Sequence, residues 1–191
     1  YDLSFTLKHY QFEVAGLGWE SFYNSIRLAF YTAIFGTVII FIGSYIVEKL
    51  KSDERLRGVL QLFTLMPMSV PGLVLGLSYI FYFNAKDNPI NFIYATMTIL
   101  VINTIVHFYT VSHLTGVTAL KQMDKEFESV SLSLKIPLYK MFWKITLPVC
   151  LPTIFDISIY LFVNAMTTVS GVIFLYTYNT TLASVSAIHL D

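Results

Sequence analysis

Long uncharged runs alternate with short charged ones along this chain. Leu28 to Val47 carries no charged residue, and at about 1.5 Å of rise per residue a helix there covers the ~30 Å hydrocarbon core of a bilayer. A second uncharged run goes from Gly58 to Phe83, interrupted by Pro67 and Pro71. A third goes from Pro89 to Leu114, with His107 and His113 as its only basic side chains. A fourth, Val149 to Tyr176, holds the single charge of Asp156. The pattern predicts an all-α integral membrane protein, a polytopic helical bundle with spans at about 26–47, 58–83, 89–114 and 149–176.

The charges between the runs set an orientation. Of twelve Lys and Arg, four lie in EKLKSDERLR and five between Lys121 and Lys144, whereas the segment between the second and third spans has only Lys86. Positive loops stay in the cytoplasm. Residues 48–57 and 115–148 are therefore expected inside, and 1–25, 84–88 and the C-terminal tail outside. An external N-terminus without a cleavable leader predicts a further helix upstream, and the tail TTLASVSAIHLD stops without a closing element. The chain thus reads as part of a longer protein, a single transmembrane domain over 1–191.

Composition agrees and removes other classes. The chain is 55% hydrophobic and 13% charged with a mean hydropathy of +0.65, against about 25% charged in soluble domains. Net charge is zero, and no nucleic-acid partner is expected. Cys150 is the only cysteine, so no internal disulfide and no Cys/His zinc cluster can form. His107 and His113 lie about 240° apart round a helix and do not share a face for a metal. The sequence has no Gly-x-x-x-x-Gly-Lys-Ser/Thr phosphate loop, no His-Glu-x-x-His and no convincing nucleophile with a base. Neither an enzyme nor a cofactor protein is expected.

One charged segment keeps too much hydrophobic order for a simple connection. In FESVSLSLKIPLYKMFWKITLPVCLP (127–152), Phe127, Val130 and Leu134 recur at helical spacing, and Leu138, Met141, Phe142 and Ile145 do so again. Lys135-Ile136-Pro137 separates the two stripes, because the residue before a proline is pushed out of helical geometry. The spacing predicts a helix-turn-helix at the inner membrane face, within a loop over 116–148. Such helices can simply lie on lipid, but the acids Asp124, Glu126 and Glu128 at the head of the first favour docking to a cytoplasmic partner.

This segment resembles the "EAA" coupling loop of ABC-importer permeases, the binding-protein-dependent inner-membrane components. Ile145-Thr146-Leu147-Pro148 matches the end of that pattern as it stands. Counting back places Ser129, Val130 and Ser131 on Glu-Ala-Ala and Lys135 on its glycine, with Glu128 one residue early. Without the glycine, the turn is expected to differ and to be supplied by Lys135-Ile136-Pro137. PMSVPGLVLGLSYIF (67–81) and NSIRLAFYTAIFGT (24–37) are similar to other stretches of these permeases, so the likeness covers nearly the whole chain, as four of the family's five core helices. It implies an importer at the bacterial inner membrane, surrounded by membrane lipid. The implied partners are a cytoplasmic ABC ATPase dimer, a periplasmic substrate-binding protein and a second permease half, fused or separate. It also implies ATPase coupling through Glu128, Ser129, Val130, Ser131, Leu134, Lys135, Ile145, Leu147 and Pro148. PGLVLGLSYIFYFN, VNAMTTVSGVIFLY and TTLASVSAIHLD look most like permeases for 2-aminoethylphosphonate, with ferric-ion permeases close by.

Polar groups within spans usually face a cavity or a partner. Asn164, Thr167, Thr168 and Ser170 on the fourth span, with Asn103 on the third, are the candidate translocation path. Asn103 and His107 share a face four residues apart, though packing is the commoner use of such groups, and Ser and Thr often join helices. Asp156 could attract a cationic amine or pair with an inner-loop lysine. The rival classes are an ion-coupled secondary transporter, which should show inverted repeats with matched broken helices, and a membrane-embedded enzyme.

Overall fold

The longest helix carries its polarity inside out. The computed structural model describes residues 19–49, 54–124 and 126–186, and its first helix, α1, runs Trp19–Lys49. Ser21, Asn24, Ser25, Ala29, Thr32, Ala33, Thr37 and Ser44 face inward at spacings of three and four, around the larger Leu28, Ile40 and Phe41. Phe30, Tyr31, Ile34, Phe35, Val38, Ile39, Ile42 and Ile46 face outward. In water this arrangement would leave a wide apolar face exposed and bury hydroxyls at a cost. In lipid, small inward residues let helices approach closely, and outward apolar ones meet acyl chains. Gly36 shows how closely: a Cβ there would lie 2.8 Å from Leu161 Cδ1 and 3.3 Å from Ile105 Cγ1.

The remaining helices come as interrupted pairs. They are α2 (Glu54–Ser69), α3 (Gly72–Phe83), α4 (Met97–His107), α5 (Tyr109–Gln122), α6 (Glu126–Ser133), α7 (Leu138–Met141), α8 (Leu147–Val149), α9 (Leu151–Thr167) and α10 (Ala183–Ser186), with a π turn at Phe142–Thr146. No strand occurs among the described residues. The chain bends by 105° between α2 and α3, where Pro71 denies Val70 helical geometry. It bends by 55° at Phe108, one turn after the Thr104 hydroxyl bonds back to Leu100 O at 2.7 Å, a back-bond that loosens a helix. It bends by 71° at Cys150. There Pro148 and Pro152 remove two ladder donors, and the π turn absorbs the mismatch. Among the described residues, only α1 is by itself long and apolar enough to cross a membrane.

The core gathers Leu28, Ile40, Ile99, Leu100, Ile157 and Leu161 from α1, α4 and α9. Residues 168–186 fold back over the same core, burying Val172, Leu175, Leu182 and Val185. Hydroxyls then fasten this return to α1. The Ala183 N–H donates to Ser25 Oγ at 2.9 Å, and Ser21 and Thr181 hydroxyls meet at 3.0 Å. A second cluster of Phe41, Leu120, Met123 and Cys150 holds the half-buried Phe142 and Ile145.

Several boundaries differ from the sequence reading. The run from Pro89 makes a short 3-10 turn at Asn91–Ile93 and becomes α-helical only at Met97, and α5 continues through Gln122, so residues 116–122 belong to a helix instead of the loop. The fourth run leaves helical geometry after Thr167, so Thr168 and Ser170 lie in the chain beyond α9 and share no helix face with Asn164. Segments 1–18, 50–53 and 187–191, Lys125, and the side chain of Glu128 lie outside the described residues.

Candidate functional site

Two of the interruptions, beside Pro71 and Phe108, meet the chain beyond α9 at one place. Asn103, on α4, is fully buried, and its Nδ2 donates to Gly171 O at 2.8 Å. Its Oδ1 has no partner among the described residues, and neither does Nδ1 of His107, one turn further on. The N-terminus of α3 closes over them. A Cβ at Gly72 would lie 2.6 Å from Ser170 Oγ, 2.9 Å from His107 Cε1 and 3.2 Å from Gly171 N. At Gly76 it would lie 3.0 Å from Gly171 O. The backbone of α3 therefore touches the backbone at 170–171 directly, an approach that only glycine allows.

This geometry divides the candidate path residues. Asn103, Thr168 and Ser170 surround Gly171: a Cβ on that glycine would lie 3.1 Å from Asn103 Nδ2 and 3.9 Å from Thr168 Oγ1. Asn164 and Thr167 stand apart, bonding back within their own helix to Tyr160 O at 2.7 Å and Val163 O at 3.1 Å. Asp156 is exposed on α9 and has no ion pair with a described residue. Sequence reasoning gave His107 a packing role and did not single out Gly171. The available signal was Gly72-x-x-x-Gly76, which marks a close approach without naming its partner.

The hairpin of α6 and α7 has two unlike sides. Met141 is 3% exposed, and Phe142 sits 4.7 Å, centroid to centroid, from Tyr45 of α1 in an edge-on contact. Ile145 and Cys150 join the same cluster. The α6 stripe does the opposite: Val130 is 55% and Leu134 66% exposed, while Ser131 between them is 3% exposed. Leu138, Tyr139 and Trp143 extend the outward apolar surface. Ser129, Lys135 and Pro148 are exposed, and Leu147 is half-buried.

The turn in this hairpin corrects one expectation. Lys135 has φ of 51°, in the left-handed region, and the Ile136 N–H donates to Ser131 O at 2.9 Å. That is the six-to-one bond of a Schellman helix end, which glycine usually makes. The turn therefore keeps the glycine's geometry although a lysine occupies the position.

An inside-out bundle of interrupted helices, with a two-sided hairpin, defines a helical membrane protein. A family model, the binding-protein-dependent transport system inner membrane component, matches residues 39–188, and the chain belongs to that family. It is 35% identical over 153 residues to the ferric transport system permease protein FbpB of Actinobacillus pleuropneumoniae, covering 80% of this chain and 21% of that protein. It is 34% identical over 166 residues to a Haemophilus influenzae protein provisionally named ferric transport system permease protein FbpB 1, covering 85% and 25%. A shorter match, 41% over 63 residues, covers 33% of this chain and 52% of the provisionally named permease-like protein AfuB of Escherichia coli. The chain spans about a fifth to a quarter of the length of the first two relatives. All three carry the name of a ferric transport permease or permease-like protein and none that of a phosphonate permease. The expected order of substrates, 2-aminoethylphosphonate ahead of ferric ion, is thus not supported. The family match favours the permease reading over the ion-coupled secondary transporter.

Proposed function

We propose that this chain forms most of one permease half of an ATP-driven, binding-protein-dependent importer whose cargo is ferric iron. In this reading α1 crosses the inner membrane alone. α2 with α3, α4 with α5, and 138–149 with α9 each cross as a bent pair, giving four passes with the hairpin in the cytoplasm. A periplasmic binding protein delivers cargo, a second permease half completes the path, and an ABC ATPase dimer supplies the motion. The two-sided hairpin carries the proposal. Phe142 and Ile145 anchor it to α1 and α5, while Val130, Leu134 and Leu138 turn a large apolar surface outward. Such surfaces mark interaction sites, and the anchored side makes the hairpin a lever instead of a loose loop. The names of the relatives support the ferric assignment.

The test is reconstitution of the full-length protein with its ATPase and binding protein in liposomes. ATP-dependent accumulation of radiolabelled ferric iron is expected, with none of 2-aminoethylphosphonate. Accumulation of the phosphonate alone would overturn the cargo, and uptake that ignores ATP would overturn the class.

A further inference from the structure

We infer that the seat of α3 on residues 170–171 is the gate of the translocation path, closed in this structure, and that Asn103 and His107 are the polar lining it covers. The inference rests on the importer reading above and adds to it the moving part and the place of closure.

Four observations converge on it. First, α3 is lightly held: its only buried residues are Gly72 and Gly76, while Tyr79, Ile80 and Phe83 pack only partly against the core. Glycines contribute no side-chain burial, so lifting them off Gly171 forfeits little packing. The α1–α9 contact, with Leu28, Ile40 and Leu161 fully buried, would forfeit far more. Second, a hinge lies beside the seat, at the 105° break over Val70-Pro71. Third, the opposing surface is held still. Asn103 grips Gly171 O at 2.8 Å, Ser184 Oγ donates to Thr168 O at 2.7 Å, and Val172 and Leu175 are sunk in the core. Fourth, closure leaves Asn103 Oδ1 and His107 Nδ1 buried without partners, a penalty that water or cargo entering an open path would relieve. In a gate, that penalty keeps the closed state shallow.

Cysteine chemistry tests this in the full-length protein, reconstituted with its ATPase and binding protein, with Cys150→Ala and any cysteine outside these 191 residues replaced likewise. A Cβ at position 72 would lie 2.6 Å from Ser170 Oγ, so Gly72→Cys with Ser170→Cys places two sulfurs within bonding reach. Diamide joins them, taking up the two electrons and two protons released. Ferric uptake is expected to fall at least tenfold on oxidation and to return with dithiothreitol. A cross-linked protein that still transports, or a pair that never cross-links, overturns the gate. The Cys150→Ala parent judges the importer reading separately: if it moves no iron with ATP, that reading fails whatever the cross-link does. Should Gly72→Cys crowd the seat, Asn103→Cys alone gives a second readout. Its labelling by N-ethylmaleimide should rise several-fold when ATP and iron-loaded binding protein are both present, and an unchanged rate overturns the gate.

Discussion

Gly116 offers a sharp test of how α1 and α5 are joined. A Cβ at this position on α5 would lie 2.7 Å from Ser44 Oγ and 3.0 Å from Ser44 Cβ. Ser44 cannot easily yield, because its hydroxyl reaches Ile40 O at 2.9 Å, His113 Nδ1 at 3.1 Å and His113 O at 3.1 Å, all within a buried seam. Gly116→Ala therefore forces the helices apart or turns Ser44 off His113. Overpacking costs about 1–3 kcal/mol, and a buried ring nitrogen left unpaired adds about 1–3 kcal/mol. Alanine's better helix propensity returns up to about 1 kcal/mol, so a net loss of about 1–6 kcal/mol is expected. Gly58→Ala is the control: nothing lies within 4 Å of its Cβ, so propensity alone acts and stability should hold or rise slightly. The assay is the fraction of monodisperse protein remaining after heating in detergent. In a Ser44→Gly background the obstructing atoms are gone, and Gly116→Ala should then cost at least about 1 kcal/mol less. A Gly116→Ala protein as heat-stable as wild type, or strict additivity with Ser44→Gly, would refute the close crossing.

The hairpin and the junction yield further outcomes. Lys135→Gly should stabilise the α6–α7 turn by about 1 kcal/mol, because a left-handed residue costs a side chain roughly that much; slower proteolysis of the hairpin would report it, and Lys135→Val should speed cleavage. Leu134→Asp lies on the outward face and should leave expression normal while abolishing ATPase stimulation by loaded binding protein. Met141→Asp buries a charge and should lower the amount of folded protein instead. Charge reversal at Glu128 should uncouple hydrolysis from uptake, as measured by the ratio of ATP consumed to iron moved. Asn103→Ala removes the only described side-chain donor to Gly171 O, costing about 1–3 kcal/mol in detergent melting, and should impair uptake with it.

What could be read along the chain was whatever depends on neighbours in sequence. An uncharged run long enough for a bilayer is a local property, and α1 follows from it directly. The hairpin was legible for the same reason. Pro137 ends one apolar stripe and begins another, and the helices Glu126–Ser133 and Leu138–Met141 lie on either side of that break. Even there, composition misled at one residue. Lys135 looked unable to form a glycine turn, yet the Ser131 carbonyl and the helix that follows hold it in the left-handed region.

The angles and the junction were not legible, because they are set by contacts between distant parts of the chain. Nothing near Asn103 shows that its amide will reach Gly171, 68 residues later, nor that Gly72 will lie against Ser170. The polar residues of the fourth run looked like one helix face, but α9 ends at Thr167. That leaves Thr168 and Ser170 with the junction and Asn164 with its own helix. Local hydrophobicity tells a segment where to lie relative to the membrane. Which small residues touch is decided only when whole helices pack, because a glycine's close approach takes its meaning from the backbone that arrives opposite it.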